Sequence, residues 1–165
     1  MSKRILIVDD ESSIREALSK VLSEEDYEVV STENGREAIE KFKLERMDLA
    51  LLDIGLPAKD GWQTLVWLTQ VNPYLPVIVI TGRSNQRELA DRMGADAIME
   101  KPLDVPRLLE IIRELTNEPM ECRTRRDSSF RDAPCDHEVF LKSLNERYTS
   151  PFKCPDSITT DTQTP

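Results

Sequence analysis

The sequence predicts an α/β protein, a doubly wound, five-stranded parallel sheet with helices on both faces. Short, almost wholly apolar segments alternate with longer segments that have apolar residues at helical spacing, and this alternation occurs five times before residue 118. Strands without polar alternation are typical of parallel strands buried on both faces. Right-handed crossovers between such strands leave few topologies open.

The strands are predicted from runs of aliphatic residues. The first run is Ile-Leu-Ile-Val after Arg4, and the fourth is Val-Ile-Val-Ile after Pro76. A proline at the first position of a strand is tolerated, because it removes no hydrogen bond from the middle of the sheet. The predicted strands cover residues 3–8, 27–32, 48–52, 76–80 and 97–99.

The helices are predicted from apolar stripes and from capping residues. Ser13 and Glu16 have the spacing of a capping box at the start of the first helix. Asp104 is the expected cap of the last helix, with a proline in its first turn. The predicted helices cover residues 12–23, 36–44, 61–71, 84–93 and 104–115.

The chain is expected to consist of one domain, residues 1–117, and a C-terminal tail. In the tail, residues 118–165, apolar periodicity fades and prolines recur, so we expect mostly irregular structure with one possible short helix at 138–148. Three cysteines and a histidine in the tail lack the paired spacing of a zinc site, and an odd cysteine count does not indicate a disulfide framework. These residues are Cys122, Cys135, His137 and Cys154.

The charge and hydropathy of the chain exclude several classes of function. The formal net charge is −9 and the pI about 4.8, which argues against direct DNA binding and against anionic membranes, because both require a basic surface. No apolar run approaches the roughly 18 residues of a membrane span. The apolar stretch near the N-terminus is shorter than that of a secretory signal. We therefore expect a cytoplasmic protein.

Polar residues follow four of the five predicted strands. Asp9 and Asp10 follow the first, Asp53 the third and Thr81 the fourth, while Lys101 lies just beyond the fifth. The carboxyl ends of parallel strands share one edge of the sheet, and open α/β sheets place their sites at that edge. The sequence therefore predicts a pocket of three carboxylates, a hydroxyl and an ammonium.

These groups together suit phosphoryl transfer with Mg²⁺. Clustered carboxylates repel one another, and Mg²⁺ prefers oxygen ligands from carboxylates and phosphate. Lys101 and Thr81 could contact phosphoryl oxygens, and Asp53 is the natural nucleophile. Each residue alone has an ordinary explanation as a cap, a turn residue or a surface charge. Their convergence on one edge favours the functional interpretation.

Four motifs carry a resemblance to a known family. They are Ile-Leu-Ile-Val-Asp-Asp-Glu at 5–11, Leu-Leu-Asp-Ile-Gly-Leu-Pro at 51–57, Val-Ile-Val-Ile-Thr at 77–81 and Glu-Lys-Pro at 100–102. Over residues 3 to about 117 the chain resembles the receiver domain of two-component response regulators. The resemblance implies a flavodoxin-like sheet of strand order 2-1-3-4-5, which is the known order of chemotaxis receivers and is adopted from them.

The resemblance also implies roles for individual residues. Asp53 would be the phosphorylated residue. Mg²⁺ would be held by Asp10, Asp53 and the backbone carbonyl of Gly55, with Asp9 contributing directly or through a water. Phosphoryl oxygens would be contacted by Thr81.

Three residues around the fifth strand complete the implied site. Lys101 would contact the phosphoryl group, and the peptide between Lys101 and Pro102 is typically cis in the family. Many receivers carry an aromatic residue in the fifth strand that moves on phosphorylation. Here Ile98 stands in its place, and a stiff isoleucine puts that aromatic readout in doubt.

The implied partners are those of a signalling module. A sensor histidine kinase or a histidine phosphotransfer protein would donate the phosphoryl group, and an unknown downstream protein would receive the signal through protein–protein contacts. The face formed by the fourth helix, fifth strand and fifth helix could also form a homodimer. The module would catalyse its own phosphorylation and dephosphorylation and would not otherwise be an enzyme.

Three alternatives stay open on the sequence. The first is the receiver of a transcription regulator whose DNA-binding output domain is absent or truncated. The second is a Mg²⁺-dependent phosphatase, although such enzymes place an Asp-x-Asp arrangement after the first strand and here the two acids are adjacent. The third is a scaffold that keeps only the fold, which would not require the intact set of polar residues.

Overall fold

The computed structural model describes residues 2–57 and 60–118, in which strands and helices alternate. The strands are β1 (Arg4–Val8), β2 (Glu28–Thr32), β3 (Leu49–Asp53), β4 (Val77–Thr81) and β5 (Ala97–Glu100). The helices are α1 (Ser12–Glu24), α2 (Gly35–Leu44), α3 (Asp60–Val71), α4 (Arg87–Arg92) and α5 (Val105–Asn117). The strands form one parallel sheet in the order β2-β1-β3-β4-β5, which confirms the predicted fold class.

The sheet separates two hydrophobic cores. Alternate residues of a strand point to opposite faces, so neighbouring residues of β3 such as Leu51 and Leu52 enter different cores. One core also receives Leu65 and Leu68 of α3, and the other receives Leu22 of α1 and Ile112 of α5. Burial on both faces explains why the strands are almost continuously apolar.

Aspartates set the register where two of the strands begin. Asp48 accepts a hydrogen bond from the backbone N–H of Arg4 at 2.8 Å, and Asp96 accepts one from the N–H of Val77 at 2.7 Å. In each pair the aspartate's own N–H donates to the carbonyl of the same partner residue. Backbone groups that the strand ladder would leave unpaired are thereby satisfied.

The structure tests three predictions about helix starts and their capping residues. Helix α1 begins at Ser12 as predicted, but the capping box at Ser13 is wrong because Glu11 is the N-cap residue. Helix α4 begins at Arg87 and not at residue 84, since Asn85 adopts a left-handed conformation (φ 62°) that a helix cannot include. The predicted cap of α5 is confirmed, with Asp104 accepting a hydrogen bond from the N–H of Arg107 at 3.1 Å.

Several predictions fall outside the described residues. The possible helix at 138–148, the three cysteines and the histidine lie between 119 and 165. Among the described residues, no helix combines the length and the apolar character needed to cross a membrane.

Candidate functional site

The strand register brings the predicted acids together at the carboxyl edge of the sheet. Val8 of β1 is paired with Leu52 of β3, so that the next residues, Asp9 and Asp53, follow on adjacent strands. Carboxylate oxygens of Asp9, Asp10 and Asp53 all lie within 4.8 Å of one another. Asp9 and Asp53 are buried, and Asp10 is exposed at the mouth of the pocket. These three acids are referred to below as the acid cluster.

The same edge carries Thr81 and Lys101. Thr81 is paired with Glu100 across β4 and β5, and the backbone N–H of Lys101 donates to the carbonyl of Thr81 at 2.8 Å. This bond extends the pairing of the two strands by one residue. It fixes the backbone from which the lysine side chain reaches the acid cluster.

Asp53 is held at both of its carboxylate oxygens. Its Oδ1 accepts a hydrogen bond from the backbone N–H of Gly55 at 2.6 Å, and its Oδ2 accepts one from Lys101 Nζ at 2.8 Å. A Cβ added to Gly55 would lie 2.9 Å from Oδ1, closer than such contacts normally come. The glycine therefore leaves room for the carboxylate in this orientation.

Lys101 places an ammonium group among the carboxylates. Its Nζ lies 2.8 Å from Asp53 Oδ2, 3.0 Å from Glu11 Oε1 and 3.2 Å from Asp9 Oδ2. Burial acts to lower the pKa of Lys101, but its contacts with these three carboxylates outweigh that effect and raise the pKa above its ordinary value. The lysine is therefore charged at neutral pH.

Asp9 provides an observation that tests whether a cation fits. Its Oδ1 accepts a hydrogen bond from the N–H of Glu11 at 2.9 Å, whereas its buried Oδ2 accepts none from any described residue. The ion-pair contact of Oδ2 with Lys101 lacks hydrogen-bond geometry. Burial raises the pKa of Asp9 against the opposing effect of these contacts. An all-oxygen cluster with an unsatisfied buried oxygen fits a hard divalent cation.

The Thr81 hydroxyl makes its hydrogen bonds with the neighbouring backbone. It accepts a bond from the N–H of Arg83 at 3.0 Å and donates a longer one to the carbonyl of Arg83 at 3.3 Å. Thr81 is almost fully buried. Its hydroxyl would have to leave Arg83 in order to donate to a phosphoryl oxygen, so its predicted contact remains a prediction.

The two remaining site residues lie on either side of Lys101. The Lys101–Pro102 peptide is cis, as the sequence resemblance implies. Ile98 is paired with Val79 and is partly buried against the core that contains Leu65 and Leu68. The structure gives its packing, and its part in a switch remains a prediction.

Sequence reasoning assigned no role to two residues that the structure brings to the site. Glu11 contacts Lys101, and Arg15 donates a hydrogen bond from Nη1 to the backbone carbonyl of Asp9 at 2.7 Å. Glu11 directly follows the acid pair, and Arg15 lies one helical turn beyond Glu11. Their closeness in sequence to Asp9 and Asp10 was the available sign that both residues lie near the site. It does not indicate in which direction either side chain points.

A polar groove of about 450 Å³ is lined by other residues than the acid cluster. Arg15, Asn34 and Arg36 are among the residues that line it, whereas the acid cluster and Lys101 are not. The size of this groove is therefore a poor guide to the site, because the acid cluster and Lys101 lie outside its lining.

Comparison with known proteins identifies the family. The family model for the response regulator receiver domain matches residues 5–113, which is well over half of the chain. The chain belongs to the response regulator receiver domain family. Receiver domains are signalling modules of two-component systems, and they bind Mg²⁺ at an acidic pocket of the kind that Asp9, Asp10 and Asp53 form here.

Two curated proteins illustrate the similarity. Response regulator MprA of Mycolicibacterium vanbaalenii is 35% identical over 117 residues, which cover 70% of this chain and 51% of MprA. Chemotaxis protein CheY of Bacillus subtilis is 34% identical over 120 residues, which cover 71% of this chain and all of CheY. The chain thus spans about half the length of MprA and the whole of CheY.

A solved structure supports the fold independently. The response regulator TrrA of Thermotoga maritima, in a crystal structure with Mg²⁺ and BeF, is 36% identical in sequence and superimposes with a TM-score of 0.64. The match covers 68% of this chain and 98% of TrrA. The receiver fold of the described residues is therefore shared with a protein crystallised in complex with that metal and beryllofluoride.

Proposed function

We propose that this receiver domain accepts a phosphoryl group on Asp53 with the help of Mg²⁺. The observation that supports the proposal most directly is the meeting of Asp53 with two other carboxylates and with Lys101 in one pocket. A carboxylate oxygen of Asp53 would attack phosphorus while the bond from phosphorus to the donor's imidazole nitrogen breaks. The products are an aspartyl phosphate and a free histidine side chain.

The acid cluster would hold the metal. Asp10, Asp53 and the carbonyl of Gly55 would be its protein ligands, with Asp9 contributing directly or through a water. When bound, Mg²⁺ would supply positive charge that neutralises the incoming phosphoryl oxygens. The complex of TrrA with Mg²⁺ and BeF supports this assignment through similarity.

Lys101 and Thr81 would act on the transferred group. Lys101 already donates a hydrogen bond to Asp53 at 2.8 Å. Its ammonium would therefore be close enough to bind a negatively charged oxygen of the phosphoryl group on Asp53. Thr81 would exchange its bond with the Arg83 carbonyl for one to another phosphoryl oxygen. Positioning and charge stabilisation of this kind provide most of the catalysis in phosphoryl transfer.

The same exchange would pass the signal outwards. If the Thr81 hydroxyl turns towards the phosphoryl group, Arg83 loses both of its bonds and the loop before α4 is free to move. We expect this loop to provide the readout, because Ile98 has no aromatic ring to reposition. The face formed by α4, β5 and α5 would then bind a downstream protein or a second copy of the chain.

The phosphoryl donor would be a sensor histidine kinase or a histidine phosphotransfer protein. Donors of both kinds carry the group on an imidazole, and both fit the receiver assignment equally well. The alternative, the receiver of a transcription regulator whose DNA-binding output domain is absent or truncated, is not favoured by any observation on the described residues. We therefore keep signalling through protein contacts as the proposal.

A mass measurement tests the proposal. The protein is incubated with acetyl phosphate and Mg²⁺, and intact mass is recorded before and after mild base. We expect one base-labile phosphoryl adduct, its loss in Asp53→Asn, and its retention in the matched control Asp91→Asn, which alters an exposed aspartate of α4. An adduct that persists in Asp53→Asn, or no adduct on the parent protein, would contradict the proposal.

A further inference from the structure

We infer that Glu11 is a positioning residue that keeps Lys101 at the pocket when a divalent cation occupies the acid cluster. The inference rests on the proposed function and deepens it, because it assigns a counter-ion to the lysine in the metal-loaded state. It is supported by the contacts of Lys101, by the capping of α1 and by electrostatics.

The contacts of Lys101 divide into two kinds. An ammonium has three N–H donors, and here three carboxylates surround it. Asp53 and Asp9, at 2.8 and 3.2 Å, belong to the acid cluster. Glu11, at 3.0 Å, does not belong to that cluster, and its side chain is 56% exposed. Among the described contacts of Lys101 with carboxylates, it is therefore the one that lies outside the acid cluster.

Glu11 precedes α1 as its N-cap, and its side chain makes no capping hydrogen bond to the helix. Glu11 is the N-cap residue, a position at which Ser, Thr, Asp and Asn are preferred because their short side chains bond the first turn. Within the described first turn of α1, no backbone N–H donates to the Glu11 side chain. Its backbone N–H is fixed by the bond to Asp9, while its carboxylate reaches Lys101, 90 positions later. The Glu11 side chain thus makes no capping hydrogen bond and instead accepts one from Lys101.

Electrostatics explains why that contact matters once a cation is bound. A divalent cation among Asp9, Asp10 and Asp53 neutralises these carboxylates and repels an ammonium that lies against two of them. Lys101 would then lose the partners that hold it in the pocket. Glu11 lies outside the cluster, so its attraction for the ammonium survives cation binding. Lys101 can move towards Glu11 and remain within reach of Asp53 and an arriving phosphoryl group.

This arrangement has a consequence for cation affinity. With Glu11 present, a bound cation leaves Lys101 with a carboxylate partner outside the acid cluster. Without Glu11, the ammonium has no such partner, and it competes with the cation for Asp53. Removing the Glu11 carboxylate should therefore weaken Mg²⁺ binding in two ways. One is the competition from Lys101, and the other is the general loss of one nearby negative charge.

A double-mutant cycle separates these two effects. Mg²⁺ affinity is measured by titration calorimetry for the parent protein, Glu11→Gln, Lys101→Met and the double variant. We expect Glu11→Gln to weaken Mg²⁺ binding about two- to fivefold more when Lys101 is present than when it is Met, as for a partly exposed ion pair. The matched control Glu16→Gln removes an exposed charge from the same helix and should give no such difference. An equal effect of Glu11→Gln in both backgrounds overturns the inference.

A second variant guards against misfolding as the explanation. Glu11→Ser removes the carboxylate but provides a preferred N-cap residue, so the fold should be at least as stable as the parent. It should nevertheless show the same lysine-dependent loss of Mg²⁺ affinity as Glu11→Gln. Parent-like affinity in Glu11→Ser would also overturn the inference.

The affinity measurement is independent of phosphorylation. If the parent protein gains no phosphoryl adduct while the coupling between Glu11 and Lys101 is observed, the proposed function fails and the positioning role stands. If the adduct forms on Asp53 and the cycle shows no coupling, the proposed function stands and the positioning role fails.

Discussion

Lys101 Nζ and Asp53 Oδ2 lie 2.8 Å apart although 48 positions separate the two residues in the chain. The other oxygen of the same carboxylate is held by the N–H of Gly55. Both oxygens of the proposed phosphoacceptor are therefore oriented by the protein alone. Such preorganisation reduces the rearrangement needed when a phosphoryl donor arrives.

Replacing Lys101 with Met should lower stability without Mg²⁺ and slow phosphorylation. The change leaves the buried carboxylates of Asp9 and Asp53 without their cation, so the free energy of unfolding should fall by about 1–3 kcal/mol in EDTA. Mg²⁺ should restore part of this loss by neutralising the same oxygens. Phosphorylation by acetyl phosphate should slow by about 10- to 100-fold, because a charge that stabilises the transferred group is lost.

The measurements for this variant are urea unfolding with and without Mg²⁺ and the rate of adduct formation by mass spectrometry. Lys20→Met, an exposed lysine on α1, is the matched control and should behave like the parent. A Lys101→Met protein that is as stable as the parent in EDTA would mean that the ammonium does not offset the cost of burying the carboxylates of Asp9 and Asp53.

Mg²⁺ should stabilise the parent protein through the acid cluster. At a concentration 100 times the dissociation constant, binding to the folded state alone adds about 2.7 kcal/mol to the free energy of unfolding. Asp10→Asn should remove most of this gain, because it deletes a carboxylate that is proposed to bind the metal directly. Thermal unfolding over a Mg²⁺ series measures both effects.

NaCl at matched ionic strength is the control for general screening, and it should reproduce little of the stabilisation. Equal stabilisation of the parent and Asp10→Asn by Mg²⁺ would place the cation elsewhere and contradict the assigned ligand set.

Gly61→Ala should destabilise the fold because α3 begins directly against the chain that carries Asp53. A Cβ at Gly61 would overlap Ile54 Cα and lie 2.8 Å from the carbonyl oxygen of Asp53, and these are backbone atoms that cannot rotate away. Overpacking of this kind costs about 1–3 kcal/mol, measured by urea unfolding. Displacement of the Asp53 backbone should also slow phosphorylation.

Gly82→Ala provides the matched control, because a Cβ there would meet no atom within 4 Å. Its stability should stay within about 0.5 kcal/mol of the parent or rise slightly. If both alanine variants lose stability to the same extent, glycine flexibility and not close packing would be the cause.

Asp104→Ala should remove the cap of α5. The carboxylate accepts a hydrogen bond from the N–H of Arg107 at 3.1 Å, so its loss should lower the free energy of unfolding by about 0.5–2 kcal/mol. Asp104→Asn keeps an acceptor in place and should retain most of the stability. Thermal unfolding of the two variants measures this difference, and equal losses in both would show that the cap bond is not the stabilising contact.

The fold and the position of the site could be predicted because both depend on backbone periodicity. Continuous apolar runs indicated parallel strands, and parallel strands send their following residues to one edge. Asp9, Asp53 and Lys101 were therefore brought together correctly without any knowledge of their side-chain contacts. The order of the strands came from the family resemblance and not from the pattern itself.

The errors and omissions concern features that periodicity does not encode. The start of α4 depended on the left-handed conformation of Asn85, which Asn adopts in some contexts only. The contact between Glu11 and Lys101 depended on side-chain length and direction at a helix N-cap. The Thr81 hydroxyl was placed on the correct edge, but its bonds to Arg83 could not be inferred from its position in the strand.

The close approach of Gly61 to the Asp53 backbone has a practical consequence for Trp62, the next residue in α3. Any displacement of that backbone must be transmitted to the start of the helix, and the partly buried indole lies there. Its fluorescence is therefore a natural optical reporter of events at the pocket. Trp67, packed edge-on against Phe42, supplies the background emission, which a Trp67→Phe variant would remove.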